Sequence, residues 1–558
     1  MQTDISYSFA SLISNSVKNY TGKNALGFID DGYITYAKMG QQISAVQAFL
    51  TNLGINTGDK VIIYSQNMPN WGVVYFALQC SGIVAVPVLP DFSASELQNV
   101  IKHSESKAMF ISESLRYKLE ETDSATLETI ISIDNYKIIR TAKEGILFDE
   151  NAQSDIAHVP EENEMAVLLY TSGTTGNSKG VMLSQKSIIK NALQAGEVQE
   201  VTKDFKFLSV LPLSHTYENT IGFVLPIIKG ASVTYLHKPP TASVLLPAMK
   251  KLRPDLMLTV PLIIEKVYKN SILPTIKKKV LTRILHGFKP TRKLVHRIAG
   301  KKLYETFGGN LKFFGIGGAK LDATVERFLR DAKFPYAIGY GLTETAPLLA
   351  GSNPLQTKYQ AIGPKVVDCE LIINDPNPAT GEGEIWAKGP NVMLGYYKNQ
   401  EETEKVLTND GWFKTGDLGV FDKEGWLSHK GRLKNLIVGA NGENIYPEEI
   451  ESIINNFRHV VESLVVQKKG KLVAMVHFNR EELEQKIKEM KADMSSRIDE
   501  KVEVVSQKVD EKIEELIIEL QQYINERVNK FSRVQLLVVQ PTPFQKTATQ
   551  KIKRYLYY

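Results

Sequence analysis

An α/β fold is predicted: a large N-terminal domain of βα-wound sheets with a small barrel-like β unit, then a smaller α+β C-terminal domain with a helical insertion. Three observations predict it. From residue 40 to about 350, helical periodicity alternates with short apolar runs, the pattern of βα units and a largely parallel sheet. Over residues 365–430, short strands separated by Gly, Asn and Asp turns replace that alternation, as in Gly381–Trp386. After Gly431-Arg432 the style changes again, and the remaining residues suit a domain of their own. The expected domains are 1–432 and 433–558. With 558 residues, 43% hydrophobic and 23% charged, the chain has ample core for both.

The strands are read from the apolar runs Lys60–Tyr64, Ile83–Val88, Lys107–Ile111, Met165–Tyr170 and Leu311–Gly315. No charged residue occurs between Lys60 and Asp91, but Asn67, Pro69, Asn70, Gln79 and Pro87 interrupt the stretch. It reads as strand, turn, buried helix and strand, since a membrane span needs about 20 mainly apolar residues. Cys80 and Cys369 form no pairing pattern and are expected to be reduced and buried, as suits a cytoplasmic location. Met1–Ile5 carries an early acid and no basic run before an apolar core, so no secretory signal is expected. A net charge of +5 is too small over this length to argue for nucleic acid.

The richest stretch follows the run Met165–Tyr170: Thr171-Ser172-Gly173-Thr174-Thr175-Gly176-Asn177-Ser178-Lys179-Gly180. Its glycines allow backbone N–H groups to converge on an anion, its hydroxyls add donors, and Lys179 adds a cation. The spacing is not G-x-x-x-x-G-K-[ST], so this is a phosphate loop of another kind. Four further clusters follow. His215 stands at a Pro-marked turn in Leu211–Glu218 and is a catalytic candidate. Gly315-Ile316-Gly317-Gly318 permits close backbone approach to a flat ligand such as a base. Tyr340-Gly341-Leu342-Thr343-Glu344 offers an aromatic ring, a hydroxyl for phosphate and a carboxylate for Mg²⁺. Asp417, in Thr415-Gly416-Asp417, suits the two hydroxyls of a ribose.

In this order, the clusters resemble the adenylate-forming superfamily of acyl-CoA synthetases, adenylation domains and luciferases, almost end to end. Gly431-Arg432-Leu433-Lys434-Asn435 looks like that family's domain hinge. Val438–Glu451 and the C-terminal Lys546–Arg554 are similar to its long-chain fatty acid branch. The resemblance implies ligation of a medium- or long-chain fatty acid to coenzyme A. ATP first gives acyl-AMP and pyrophosphate, and the thiol then displaces AMP. It implies that Lys551 supplies the key cation, and that Lys179 with the hydroxyls of Thr171, Ser172, Thr174 and Thr175, beside Gly173, holds the β- and γ-phosphates. Thr171 and Glu344 would hold Mg²⁺, Tyr340, Gly341, Thr343 and Gly318 would frame the adenylate, and Asp417 and Arg432 would grip the ribose. It further implies a mobile C-terminal domain pivoting at Lys434, which carries Lys551 away and brings Gly442 towards the pantetheine of coenzyme A. Gln550 stands where the family usually has Gly, Leu262 where the long-chain branch commonly has Arg, and Lys546 and Lys553 are rivals to Lys551. Alternatives are an acyl-AMP or acyl-carrier-protein ligase, a CoA ligase for another acid, and a catalytically silent sensor.

Two segments stand apart. Residues 266–302 hold twelve Lys or Arg, no Asp or Glu, and interleaved apolar residues, a pattern of either a solvated helix or a peripheral contact with an anionic membrane. Residues 481–531 carry an apolar stripe in steps of three or four: one helix or a hairpin, packed on its own domain or serving as an arm. A homodimer is the expected assembly.

Overall fold

The computed structural model describes residues 7–171, 179–278, 280–439, 443–492, 502–547 and 551–558. Two eight-stranded sheets dominate the N-terminal part. In one, Lys60–Tyr64, Val84–Val88, Ala108–Ile111 and Thr129–Ser132 run parallel, and Val84–Val88 also pairs in parallel with Met165–Thr171. In the other, six parallel strands include Leu256–Thr259, Phe313–Ile316 and Tyr336–Gly341, with antiparallel strands only at the edges.

Between the sheets lies the helix Pro69–Cys80, opened by a proline at its first turn and buried from Trp71 to Cys80. The absence of a polar face in its sequence thus has a direct cause: apolar residues of both sheets, among them Ile63, Ala85, Leu26 and Val233, share its core. Trp71, Tyr75, Phe76 and Phe223 interlock there, and each such ring contributes about 1.5–3 kcal/mol by leaving water. The stretch without charges is this strand–helix–strand unit, and no described helix is long and apolar enough to cross a membrane.

Glu370–Asn374, Gly383–Lys388, Phe413–Phe421 and Leu427–Arg432 form a four-stranded antiparallel sheet. It corresponds to the expected barrel-like unit but stays open: its first and last strands do not pair, and Leu427 bridges to Gly363 instead. After Arg432 the chain builds the smaller α+β part. Val460–Lys468, Lys471–Phe478 and Leu536–Val539 form its main sheet. The last two strands are parallel, so a long crossover must join them. The helices Arg480–Ala492 and Val502–Asn525 are that crossover, which explains the apolar stripe. Leu483, Val509, Ile513, Leu516, Leu520 and Ile524 are buried with Ile450, Ile454 and Phe457 of the same part. Among the described residues the stripe therefore packs on its own domain; Met494 and Ile498 lie outside them.

The seam between this part and the larger one is polar. The Lys269 ammonium donates to the carbonyls of Asn455 (3.1 Å) and Val460 (2.8 Å), neutralising the C-terminal end of the helix Pro447–Asn455. Lys320 pairs with Glu449 at 2.6 Å, and the Tyr446 hydroxyl donates to Glu382 at 2.7 Å. No apolar cluster among the described residues mixes side chains from both sides of Arg432.

Candidate active site

The site forms where several strands end. Met165–Thr171 turns back on Lys179–Ser184 with Thr171 opposite Lys179, so the Gly/Thr-rich loop closes a hairpin. Lys179 is therefore the first residue of a strand, not a loop residue. Ser172, Gly173, Thr174 and Thr175 lie outside the described residues, as do Gly442 and Gln550. Lys179 pairs with Glu402 and stands 4.7 Å from the centre of the Tyr396 ring. Hydrogen bonds from Lys179 and Lys405 hold the Glu402 carboxyl down at about 2. The Tyr396 hydroxyl donates to Glu344 at 3.0 Å, which links the hairpin to the turn Thr343–Thr345.

Gly318 follows the strand Phe313–Ile316 with φ +84°, a conformation natural only to glycine. Gly341 ends its strand against the Pro347 carbonyl; a Cβ there would fall 1.7 Å from that oxygen. Thr343 opens the next turn, half-buried. Asp417 and Arg432 are cross-strand partners, which brings Arg432 Nε to 2.8 Å from Asp417 Oδ1. The Tyr340 hydroxyl donates to the other oxygen at 2.9 Å, and His429 approaches at 3.4 Å. Burial alone would raise the Asp417 carboxyl, but the Arg432 charge, His429 and the Tyr340 hydroxyl outweigh it and hold it below the usual range.

Lys551 reaches this cluster from the C-terminal end of the chain. It keeps solvent-accessible surface yet stands in a crevice crowded by protein, and the crowding governs its charge. Desolvation and the Arg432 guanidinium lower the ammonium from its ordinary value, while Asp417 and Glu344 oppose the fall. Lys546 is turned away, paired with Glu462. Lys434 occupies the exposed 3₁₀ turn Leu433–Asn435 directly after Arg432.

His215 lies within electrostatic reach of Lys551. Desolvation, then the Lys551 charge, pushes it down to about 4. Its Nδ1 accepts the Tyr217 backbone N–H at 3.2 Å, which assigns the ring proton to Nε2. The next stretch, Tyr217–Val224, is wound as a π-helix, a local strain common at functional sites. It buries Glu218, which desolvation pushes up to about 8. Because the folded protein disfavours a protonated His215, the unfolded chain binds the extra proton between about 6.5 and 4, and stability falls as pH drops through that window. His215 is thus expected to leave no limb in the kcat/KM profile between about pH 5.5 and 8. A limb near 6.5 that His215→Asn removes would overturn this assignment.

Sequence reasoning missed Tyr396, Glu402 and Lys269. Glu402 sits in the short helix Gln400–Val406 and reads as a solvated acid, Tyr396 belongs to no recognisable pattern, and Lys269 is one of the twelve basic residues of 266–302 with nothing in the sequence to set it apart. Glu344, with one oxygen on Tyr396, keeps another for a cation. A carboxylate so placed suits Mg²⁺, which takes one or two carboxylates and fills its remaining positions with phosphate and water.

Strand-end glycines, a buried acid–arginine pair and a lysine beside it fit a nucleotide-handling enzyme of the α/β type. The AMP-binding enzyme family model matches residues 13–397, and the chain belongs to that family. Among curated proteins, the long-chain-fatty-acid–CoA ligase FadD15 of Mycobacterium tuberculosis is 29% identical over 481 residues, covering 78% of this chain and 75% of the relative. Long-chain-fatty-acid–CoA ligase 1 of Saccharomyces cerevisiae is 27% identical over 502 residues, covering 79% and 71%. Among solved structures, ATP-bound MatB from Rhodopseudomonas palustris superposes with a TM-score of 0.74 at 23% identity, over 98% of each chain. O-succinylbenzoate coenzyme A synthetase (MenE) from Bacillus subtilis, in complex with ATP and magnesium ion, does so with a TM-score of 0.73 at 21% identity, also over 98% of each.

Proposed function

We propose that this enzyme couples a medium- or long-chain fatty acid to coenzyme A at the expense of ATP, through an acyl-AMP intermediate. One observation carries the reading: Lys551 lies within electrostatic reach of Arg432, Asp417, Glu344 and His215, although these residues are scattered over more than three hundred positions of sequence. The names of the curated relatives supply the acid and the thiol.

A carboxylate is a poor electrophile, so it must first acquire a leaving group. Its oxygen attacks the α-phosphorus of ATP, the bond to the bridging oxygen breaks, and pyrophosphate departs. Negative charge on the phosphate oxygens is stabilised by Lys551, and preorganised donors of this kind are worth several kcal/mol. Neutral His215 can donate from Nε2 to an oxyanion without adding a charge. Asp417, already ionised, accepts the ribose hydroxyls with Arg432 beside it, and Tyr340, Gly341 and Gly318 border the base. Thr343 would bind phosphate, as would the hydroxyls of the Gly/Thr-rich loop. Bound Mg²⁺ would neutralise phosphate charge next to Glu344 and Thr171. Lys179 must exchange Glu402 for phosphate. Glu402→Gln removes that competitor, and a partly exposed pair is worth about 1 kcal/mol, so the KM for ATP is expected to fall by up to about fivefold. An unchanged or raised KM would show that Glu402 positions Lys179 instead.

We place the domain boundary after Arg432, with residues 433–558 pivoting at Lys434 so that Gly442 approaches coenzyme A once Lys551 has left. Pyrophosphate release from MgATP over fatty acids of increasing length, with and without coenzyme A, tests the reading. Stimulation by coenzyme A with a chain-length optimum supports it. Release without an acceptor effect points to a carrier protein, and no release with any fatty acid overturns it.

A further inference from the structure

We infer that the helices Val280–Gly287 and Lys289–Thr306 form a docking surface for an anionic lipid bilayer. The inner helix buries Val295, His296, Gly300 and Leu303 and turns Lys293, Leu294, Arg297, Ile298, Lys301 and Lys302 outward at helical spacing. The outer helix buries none of its side chains. Val280, Leu281, Ile284, Phe288, Leu294 and Ile298 are each between 53% and 67% exposed, and no other described stretch of that length leaves as many large apolar side chains in water.

The outer helix is nevertheless seated in a definite orientation. His286 and His296 meet through their Nε2 atoms at 3.0 Å, and His296 Nδ1 reaches Asp331 at 2.9 Å. With half-buried Leu285, this chain fixes which side of the helix faces inward. The apolar row is therefore held outward by the fold.

Charge selects the occupant. The twelve basic residues of 266–302 have no acid between them in sequence; in the structure Arg292 lies 3.7 Å from Asp331, and Lys269 is taken up by the carbonyls of Asn455 and Val460. Lys277, Lys278, Arg283, Lys289, Lys293, Arg297, Lys301 and Lys302 make no ion pair among the described residues. A solvated helical face would carry the cations without the exposed Phe, Leu and Ile. An acidic protein surface would satisfy the cations and leave the apolar row in water. Apolar teeth between cations fit the boundary of anionic headgroups and acyl chains.

The surface is also tied to the candidate site. Its segment grows from the strand Leu256–Thr259, whose Thr259 carbonyl accepts the Gly317 N–H at 3.1 Å, beside Gly318. Docking would hold the site close to the bilayer in which a fatty acid dissolves. That consequence rests on the fatty-acid reading; the docking itself does not.

The test uses the full chain and vesicles of phosphatidylcholine with and without phosphatidylglycerol, sedimented in the absence of ATP and fatty acid. The wild type is expected to bind the anionic vesicles at least about tenfold more tightly than the neutral ones. Both Leu281→Asn/Ile284→Asn/Phe288→Ser and Arg283→Gln/Lys289→Gln/Lys293→Gln/Arg297→Gln are expected to lose at least about tenfold in that binding. Turnover of a water-soluble shorter acid should be unchanged in both. Anionic-vesicle binding equal to wild type in either variant overturns the proposal. So does a charge variant that keeps vesicle binding but raises the KM for coenzyme A, which would assign the cations to that cofactor's phosphates. Intact vesicle binding without ligase activity would overturn the functional reading alone.

Discussion

Lys551→Ala is expected to lower pyrophosphate release from ATP and fatty acid by about 10²–10³-fold, the cost of removing one preorganised charge at a developing oxyanion. The same variant should still convert supplied acyl-AMP and coenzyme A to the thioester, because Lys551 is proposed to leave the crevice before that step. The substitution has little to disturb structurally: the side chain keeps solvent-accessible surface, and the C-terminal core rests on residues such as Leu464, Val466 and Phe544. Lys546→Ala is the control. Its amine is engaged with Glu462, so it should leave adenylation close to wild type. If Lys546→Ala proves the worse variant, the assignment of the catalytic lysine is reversed.

Lys434→Pro is expected to separate the two half-reactions in the opposite sense. The ring fixes φ near −65°, which suits the 3₁₀ turn Leu433–Asn435 and so retains the arrangement in which Lys551 meets Arg432. The rotated arrangement needs a large backbone change at this point, and the ring forbids it. Pyrophosphate release in a single turnover should persist, while thioester formation falls by about 10²-fold or more, as for other misplaced reacting groups. Equal loss in both half-reactions would remove Lys434 from the hinge.

Local pattern made much of the fold legible. The strand–helix–strand unit from Lys60 to Val88 could be read because a run without charges, broken by Pro69 and Gly82, has few other folded solutions. The crossover helices could not be placed. The stripe 483–531 states only that one face is apolar, and the partners Ile450, Ile454 and Phe457 are named by the parallel pairing of two strands far apart in sequence. The site divides in the same way. Asp417 and Arg432 lie fifteen residues apart and meet because a hairpin register sets them opposite each other, which the turn between them foreshadows. Glu402 reaches Lys179 across more than two hundred residues, and nothing in either neighbourhood announces it. Lys269 sits in a run of lysines that all look alike, and only the carbonyls of Asn455 and Val460 distinguish it.

The polar seam around Lys269, Lys320 and Tyr446 has a thermodynamic consequence. Its named contacts are hydrogen bonds and an ion pair, and no apolar cluster among the described residues spans it, so detaching the smaller domain should carry a far smaller heat-capacity change than unfolding either domain. On the proposed pivot, ionic strength, which screens the Lys320–Glu449 attraction, should therefore influence how readily the smaller domain departs.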